Sequence, residues 1–179
     1  MQNPFLIGDK VYLRSIEMED APHFVEWLND PEVRCYLARS FPPLNLGRER
    51  EWIEQLYKDQ SRVVFGIVLK ESDKLIGSTG LEGIDWRSRR AGFGIAIGDK
   101  TQWSKGFGTE ATKLVVRYGF DTLNLNRIFL HVFDHNPRAM RAYEKAGFVR
   151  EGVLRQDRYI EGAYRDSIVM GILREEWKG

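Results

Sequence analysis

The stretch IAIGDKTQWSKGFGTEATKLVVR, residues Ile95–Arg117, decides the fold that we predict for this chain. It begins with an apolar run typical of the end of a buried strand, and a polar turn follows. Gly106 and Gly108 then precede apolar residues that recur at the spacing of one helix face. Because a helix N-terminus has free N–H groups and a positive dipole end, this strand–loop–helix layout suits a phosphate or pyrophosphate. A Gly-x-Gly before a helix is also a common turn, so the motif alone leaves both interpretations open.

Length, charge and cysteine usage limit the classes of protein. The 179 residues suit one domain, residues 1–179, and 42% of them are apolar, enough for a full core. The 27 basic and 26 acidic residues give a net charge of +1, which argues against a general affinity for nucleic acid. The lone Cys35 excludes an intramolecular disulfide and a multi-cysteine zinc site. Because no signal peptide or membrane-length apolar run is visible, we expect a cytoplasmic protein without a membrane partner.

The N-terminal part combines one strand with two helices. Val11–Arg14 has the composition of a strand, and Ala21–Leu28 has helical spacing. A second helix, with its charges mostly on the opposite face, is marked by residues at helical spacing: Glu49, Trp52, Ile53 and Leu56.

Aromatic residues are concentrated in this N-terminal part: Phe24, Trp27, Tyr36, Phe41, Trp52 and Tyr57. Core packing accounts for most aromatic clusters of this kind. The alternative interpretation is that the loop between the two helices, which contains Phe41-Pro42-Pro43, walls a substrate pocket.

The remaining chain alternates strands with turns and helices. Branched residues bounded by polar turns predict six further strands: Val63–Leu69, Leu75–Leu81, Gly92–Ile97, Arg127–Phe133, Val149–Tyr159 and Tyr164–Leu173. Short polar turns should pair the first three as antiparallel neighbours and the last two as a hairpin. Arg127–Phe133 follows the long helix as a crossover, so we expect it to lie parallel to the strand before that helix.

A second informative stretch, DHNPRAMRAYEKAGF, covers Asp134–Phe148. Asn136 can cap a helix that begins at Pro137, because an N-cap side chain accepts from a free N–H and proline fits the first helical position. Gly147 can end that helix in a left-handed conformation. The stretch therefore predicts a strand followed by a short helix.

The two motifs WSKGFGTEA (Trp103–Ala111) and NPRAMRAYEKAGF (Asn136–Phe148) together resemble the GNAT superfamily of acyl-CoA-dependent N-acetyltransferases. The resemblance covers nearly the whole chain. It implies a mixed α+β fold with a mostly antiparallel, twisted sheet of about seven strands flanked by helices, whose parallel strand pair splits around acyl-CoA. The opening Leu13–Ala21 and the closing Asp166–Trp177 are similar to the subgroup that contains the ribosomal-protein alanine/serine N-acetyltransferases, and spermidine acetyltransferases are similar too.

The resemblance implies acetyl-CoA as co-substrate. Backbone groups of the strand would bind pantetheine, and the glycine loop would bind the pyrophosphate, with Lys105 adding charge. Tryptophan at position 103 departs from the arginine or glutamine of many members but is familiar in the ribosomal-protein-like subgroup. The cofactor-binding residues implied are Phe93, Ile95, Ala96, Ile97, Trp103, Ser104, Lys105, Gly106, Phe107, Gly108, Thr109, Asn136, Arg138, Ala139 and Tyr143.

The resemblance also implies direct attack of an amine on the thioester. Tyr143 matches the position of the family's general-acid tyrosine, which protonates the departing thiolate; simple packing is the alternative role. Relatives often carry a glutamate where Gly92 stands here, so the general base is Glu82, Asp85 or a chain of water molecules.

His131 and His135 flank Asp134 but lack the usual spacing of metal ligands, so we expect no metal. The acceptor implied is a primary amine, first a protein N-terminal α-amine of the ribosomal type, otherwise a polyamine such as spermidine or another small amine. A non-catalytic acetyl-CoA-sensing module is the alternative class. A nucleotide-binding loop is disfavoured because the P-loop lysine and the third glycine of a dinucleotide fingerprint are missing. Family members are monomers or dimers, and we expect a homodimer.

Overall fold

The computed structural model describes residues 1–37 and 42–179, and within these ranges it forms one eight-stranded sheet. The strands are β1 (Leu6–Ile7), β2 (Val11–Ser15), β3 (Val63–Leu69), β4 (Leu75–Asp85), β5 (Arg90–Ile97), β6 (Arg127–Phe133), β7 (Val149–Ile160) and β8 (Ala163–Leu173). Their spatial order is β1-β2-β3-β4-β5-β6-β8-β7. The predicted mixed α+β class is confirmed.

The helices are α1 (Ala21–Asn29), α2 (Pro31–Arg34), α3 (Leu46–Leu56), α4 (Phe107–Arg117) and α5 (Pro137–Lys145). Their starts follow from local chemistry. Proline occupies the first turn of α1, α2 and α5. Side-chain oxygens of Asp30, Asn45 and Asn136 accept from the first-turn N–H groups of α2, α3 and α5. A π-helical turn, Tyr118–Thr122, continues α4.

All seven predicted strands are present, together with one that the sequence pattern missed. The extra strand, β1, pairs with β2 through Leu6 opposite Leu13 and Ile7 opposite Tyr12. Two residues are too few to show the alternation by which strands are recognised in a sequence. The predicted antiparallel pairing of β3, β4 and β5 and the hairpin of β7 and β8 are confirmed.

The parallel pair, β5 and β6, is joined over a short length. Arg90, Ala91 and Gly92 pair with three residues of β6 that begin at Arg127, and the ladder ends there. Each strand continues beyond that point, β5 along β4 and β6 along β8. The two strands therefore diverge after Gly92 and leave a split in the middle of the sheet, as predicted.

Helices cover both faces of the sheet around this split. On one face α4 and α5 pack on strand residues that include Phe93, in the largest apolar cluster. On the other face α1 and α3 pack on a smaller cluster with Tyr12, Val68 and Leu75. Because side chains alternate along a strand, Phe93 and Ile95 point toward α4 and α5, while positions 92, 94 and 96 face α1 and α3.

Candidate active site

A cavity of about 870 Å³ opens at the split between β5 and β6. Its wall contains Phe107 and Tyr143 from the α4–α5 face and Trp27 and Trp52 from the α1–α3 face. The split thus connects the two faces of the sheet through one continuous space. That volume is typical of a site for a small molecule or cofactor.

The glycine loop forms an anion-binding end of this cavity. Gly106 is the N-cap of α4 and has a left-handed φ of 91°, and Ser104 also has a positive φ of 63°. A left-handed φ explains the glycine at position 106, because a side chain there would strain the backbone. The first N–H bonded inside α4 is that of Glu110, to the carbonyl of Gly106 at 3.1 Å. The N–H groups of residues 107–109 are therefore free to bind an anion.

Trp103 joins the glycine loop to the strand and to α5. Its indole Nε1 donates to the carbonyl of Ile97 at 2.7 Å. The guanidinium of Arg138 lies 3.9 Å from the centre of the Trp103 ring and 5.4 Å from that of Tyr36. Burial lowers the pKa of Arg138, and no carboxylate of the described residues pairs with this cation. The loop therefore combines free N–H groups with a stacked cation, which suits phosphate.

Asn136 and Tyr143 hold the opposite side of the split. The Asn136 side chain is buried and accepts from Ala139 N–H at 3.1 Å, so the predicted cap is confirmed. The Tyr143 ring packs on Phe93 and Phe148, at 6.0 Å and 6.1 Å between ring centres. Burial raises the pKa of Tyr143, which keeps its proton on the phenol at neutral pH. Among the described residues nothing bonds its hydroxyl, which is available to a bound molecule.

Comparison with known proteins decides the family. A GNAT acetyltransferase domain model matches residues 10–149, well over half of the chain. The chain belongs to the GNAT acetyltransferase family. Spermidine N(1)-acetyltransferase of Vibrio cholerae is 39% identical over 172 residues, 96% of this chain and 97% of that protein. The uncharacterised N-acetyltransferase p20 of Bacillus licheniformis is 32% identical over 176 residues, 97% of this chain and 98% of that protein.

Solved structures give the same result. The crystal structure of spermidine N-acetyltransferase from Vibrio cholerae in complex with CoA and spermine has a TM-score of 0.87 and 30% identity to this chain, covering 94% of this chain and 98% of that one. The protein is therefore an acetyl-CoA-dependent N-acetyltransferase. The cavity agrees with this co-substrate, because it offers anion donors at the glycine loop and an apolar channel along β5.

The cavity wall of this acetyltransferase contains all but one of the predicted cofactor-binding residues: Phe93, Ile95, Ala96, Ile97, Trp103, Ser104, Gly106, Phe107, Gly108, Thr109, Asn136, Arg138, Ala139 and Tyr143. The exception is Lys105. Its exposed ammonium group donates to Gln102 Oε1 at 3.1 Å and does not line the cavity. Their contacts with acetyl-CoA stay predictions.

The two carboxylates predicted as candidate bases lie in different settings. Glu82 of β4 stands opposite Gly92, is exposed and lines the cavity. Asp85 instead holds the β4–β5 turn, since it accepts from the backbone N–H and the hydroxyl of Ser88 at 2.9 Å and 2.7 Å. These hydrogen bonds lower the pKa of Asp85, and its side chain does not line the cavity.

Glu49 is a site residue that sequence reasoning missed. It lies in the first turn of α3, is 4% exposed and lines the cavity. Burial raises the pKa of Glu49 to about 7. The signal was present in the helical pattern, because Glu49 occupies a position of the apolar face that Trp52, Ile53 and Leu56 continue. A carboxylate on the apolar face of a helix is costly to bury, so its position in the pattern indicates a functional role.

Most of the N-terminal aromatic residues belong to the wall of the site. Phe24, Trp27, Tyr36 and Trp52 line the cavity, and Phe24 also packs in the smaller core cluster. Tyr57 is exposed, and its hydroxyl donates to the Ile16 carbonyl at 3.3 Å. The predicted pocket loop includes Phe41, which lies outside the described residues. The aromatic residues thus serve both core and pocket.

The two histidines near the split do not form a metal site in the described part of the chain. No group of three or more His, Cys, Asp or Glu side chains comes together there. His131 lines the cavity, while His135 stacks between Phe133 and Tyr36. Among the described helices, none has the length and apolar character needed to cross a membrane.

Proposed function

We propose that this acetyltransferase holds acetyl-CoA between β5 and β6 and passes its acetyl group directly to a primary amine that approaches from the α1–α3 face. The observation that carries the proposal is the split after Gly92, where one cavity reaches both faces of the sheet. A thioester held from one face and an amine held on the other can meet there. No covalent enzyme intermediate is needed.

The free edge of β5 is assigned to the pantetheine arm and the thioester. Beyond Gly92 the backbone groups of Phe93–Ile97 that point toward β6 have no strand partner among the residues that the structure describes. Such groups pair readily with an amide-containing chain, much as an added strand would. An N–H group of this edge also stabilises the negative charge that grows on the thioester oxygen during attack. The glycine loop and Arg138 take the phosphates.

Tyr143 is assigned as the acid that protonates the departing CoA thiolate. Tyr143 lines the cavity, none of the described residues bonds its hydroxyl, and its raised pKa keeps it protonated when the thiolate forms. The ring is fixed by Phe93 and Phe148, so the proton is held in one place.

The acceptor that we propose is an amine with one positive charge, with a protein N-terminal α-amine as the first choice. The α1–α3 face of the cavity is mainly apolar, lined by Phe24, Trp27, Leu28, Leu44 and Trp52. Glu49 and Glu82 are the carboxylates among the described lining residues. A polyamine carries several positive charges and would need more carboxylates than these two, because an unpaired buried charge is costly.

Spermidine is the second candidate acceptor. It is favoured by the 39% identity to the spermidine N(1)-acetyltransferase of Vibrio cholerae. A provisionally named ribosomal N-acetyltransferase of Bacillus subtilis, at 26% identity, is more distant. The two candidates differ in the number of charges that the pocket must accept.

The test is release of CoA thiol from acetyl-CoA with a panel of amines. The panel contains N-terminal peptides of ribosomal proteins, single-charge arylalkyl amines, spermidine, free amino acids and an aminoglycoside. We expect turnover with a singly charged amine to exceed turnover with spermidine. Preference for spermidine would reverse the choice of acceptor, and no turnover with any amine would contradict the proposed reaction.

A further inference from the structure

Glu49 is an ionisable group placed where the fold does not need one. It is 4% exposed, and its neighbours on the same face of α3 are the apolar Trp52 and Ile53. From across the cavity α1 contributes Phe24 and Trp27 to the same apolar surface. A carboxylate buried in such surroundings loses the free energy of hydration, and contacts with apolar side chains do not compensate for that loss.

No described residue compensates this loss. The Glu49 carboxylate has no hydrogen-bond donor and no ion-pair partner among residues 1–37 and 42–179. Glu49 lines the cavity, and the 4% of its surface that stays exposed belongs to that wall. The carboxylate thus lies at the wall of the space where the amine is proposed to bind, without a partner from the described residues.

Other charged groups around the site act elsewhere. On α3 itself Arg48 is exposed at the cavity rim, and on α1 His23 stacks on Trp27 from the outside. Charged groups of the opposite elements that line the cavity are Glu82 of β4, His131 of β6, and Arg138, Arg141 and Lys145 of α5.

The 3₁₀ turn Met18–Asp20 also packs on α3. Burial raises the pKa of Tyr57, and the nearby carboxylates of Glu17, Glu19 and Asp20 raise it further, but they do not contribute to the shift of Glu49. Burial is the one cause that raises the pKa of Glu49. A carboxylate that titrates near neutral pH suits a general base, since it is partly ionised and still basic enough to take a proton.

We propose that Glu49 binds the ammonium group of the acceptor amine and removes the proton that blocks its attack on acetyl-CoA. This inference rests on the proposed function and assigns the base that the sequence left open. The rings of Trp27 and Trp52, which line the same cavity, favour a cation over neutral competitors. In these apolar surroundings the attraction between an ammonium group and the carboxylate is stronger than it is in water.

The proton balance is complete with Glu49 and Tyr143. The ammonium group gives one proton to the Glu49 carboxylate, and the freed nitrogen lone pair forms the bond to the thioester carbon. When the carbon–sulfur bond breaks, the thiolate takes the Tyr143 proton, and the second proton lost by the nitrogen restores the phenol through solvent. Glu49 then releases its proton to water. The products are the acetylated amine, CoA thiol and one proton.

The test compares Glu49→Gln with two matched variants, using the panel amine that wild type turns over fastest. Glu51→Gln, on the exposed side of the same helix, is the control for a charge change on α3. Glu82→Gln tests the competing carboxylate. We expect Glu49→Gln to lower kcat by about 100-fold or more, with the KM for acetyl-CoA unchanged. We expect the kcat/KM of wild type to rise with pH around pH 7, as Glu49 ionises, and the kcat/KM of Glu49→Gln to lack this rise. Glu51→Gln should keep both the kcat and the pH-dependent rise of wild type.

Each outcome decides the inference. The role of Glu49 is supported if Glu49→Gln loses both turnover and the pH-dependent rise while Glu51→Gln and Glu82→Gln keep them. A normal pH profile in Glu49→Gln overturns it, and so does loss of the profile in Glu82→Gln instead. If wild type itself releases no CoA with any panel amine, the proposed acetyl transfer is wrong. If wild type is active but Glu49→Gln behaves like wild type, only the role of Glu49 is wrong. Thermal unfolding of Glu49→Gln at pH 6 checks that the variant folds.

Discussion

Asp20 and Glu49 are two buried carboxylates in the same helical layer, and they differ in the hydrogen-bond partners that surround them. Asp20, 6% exposed, accepts two hydrogen bonds from the Arg14 guanidinium at 2.7 Å and 2.8 Å and a third from Glu17 N–H at 2.9 Å. Glu49, 4% exposed, accepts none from the described residues.

The difference separates a structural charge from a functional one. A buried carboxylate that is fully bonded fixes the backbone around it, here the turn that starts α1. A buried carboxylate without partners lowers stability and persists when the site needs it. Burial is nearly equal for Asp20 and Glu49, so the partners, and not the exposure, distinguish them.

The largest effect is expected when the structural charge is removed. Asp20→Asn leaves the Arg14 guanidinium largely buried without its counter-charge and should destabilise the fold by about 3–5 kcal/mol. Urea unfolding at pH 7 measures it. The control is Asp59→Asn, which breaks the ion pair with Arg62 near the surface and should have a much smaller effect. A change in Asp20→Asn as small as that of the control would show that the two carboxylates do not differ as argued.

Glu49→Gln is expected to raise the free energy of unfolding, whereas Asp20→Asn lowers it. The pKa of Glu49 is about 7 in the folded state against an ordinary value of 4.5. The folded state therefore binds the proton more tightly, and wild-type stability falls as pH rises from 4.5 to 7. Glutamine carries no charge, so the variant should be more stable by about 2–3 kcal/mol above pH 8, with the gain vanishing toward pH 4. Thermal unfolding of wild type and Glu49→Gln between pH 4 and pH 9 measures this gain. A stability difference between the two proteins that does not change with pH would contradict the prediction.

Tyr143→Phe should slow turnover with little effect on folding. The variant keeps the ring contacts with Phe93 and Phe148 and removes the hydroxyl that donates to the thiolate. We expect kcat to fall by about 10- to 100-fold while the Kd for acetyl-CoA is unchanged. Stopped-flow thiol detection and calorimetric binding measure the two quantities. Unchanged kcat would remove Tyr143 from the chemistry.

The smallest effect is expected for Gly94→Val, which tests whether the amine binds on the α1–α3 face of the split and acetyl-CoA on the α4–α5 face. A Cβ at Gly94 would meet no atom within 4 Å, and this position faces α1 and α3. Gly94→Val should therefore fold normally and occupy space that the amine needs. We expect a fall of about tenfold in kcat/KM for the amine, and a smaller change in the Kd of acetyl-CoA. If acetyl-CoA binding is lost instead, the two sides have been assigned the wrong way round.

Local patterns were sufficient to predict most of the fold. Helix starts at Asn136 and Pro137, the crossover to a parallel β6 and the final hairpin all follow from short-range rules, and the structure contains them. The two-residue β1 could not be predicted, because it is defined by its pairing with β2 and not by its own sequence.

The sequence predicted the residues that line the cavity along β5, the glycine loop and α5, but not Glu49 on its α1–α3 face. The glycine loop and the α5 stretch carry their residues in continuous motifs, and all of them except Lys105 line the cavity. The acceptor side is assembled from α1, α3 and β4, which lie far apart in the sequence. Glu49 comes to line one cavity with residues of β4 and β5 only in the folded chain. That no described residue pairs with its carboxylate is visible only in three dimensions.

The central claim is that Glu49 is a functional carboxylate of the proposed acceptor pocket, to which the described part of the chain gives no partner. Its most direct test is a pH titration of the wild-type protein carrying ¹³C-labelled glutamate carboxyl groups, followed by NMR. Glu49→Gln identifies the resonance by its absence. The account predicts a midpoint of about 7 for that resonance. A midpoint near the ordinary 4.5 would show a solvated or bonded carboxylate and would contradict the account.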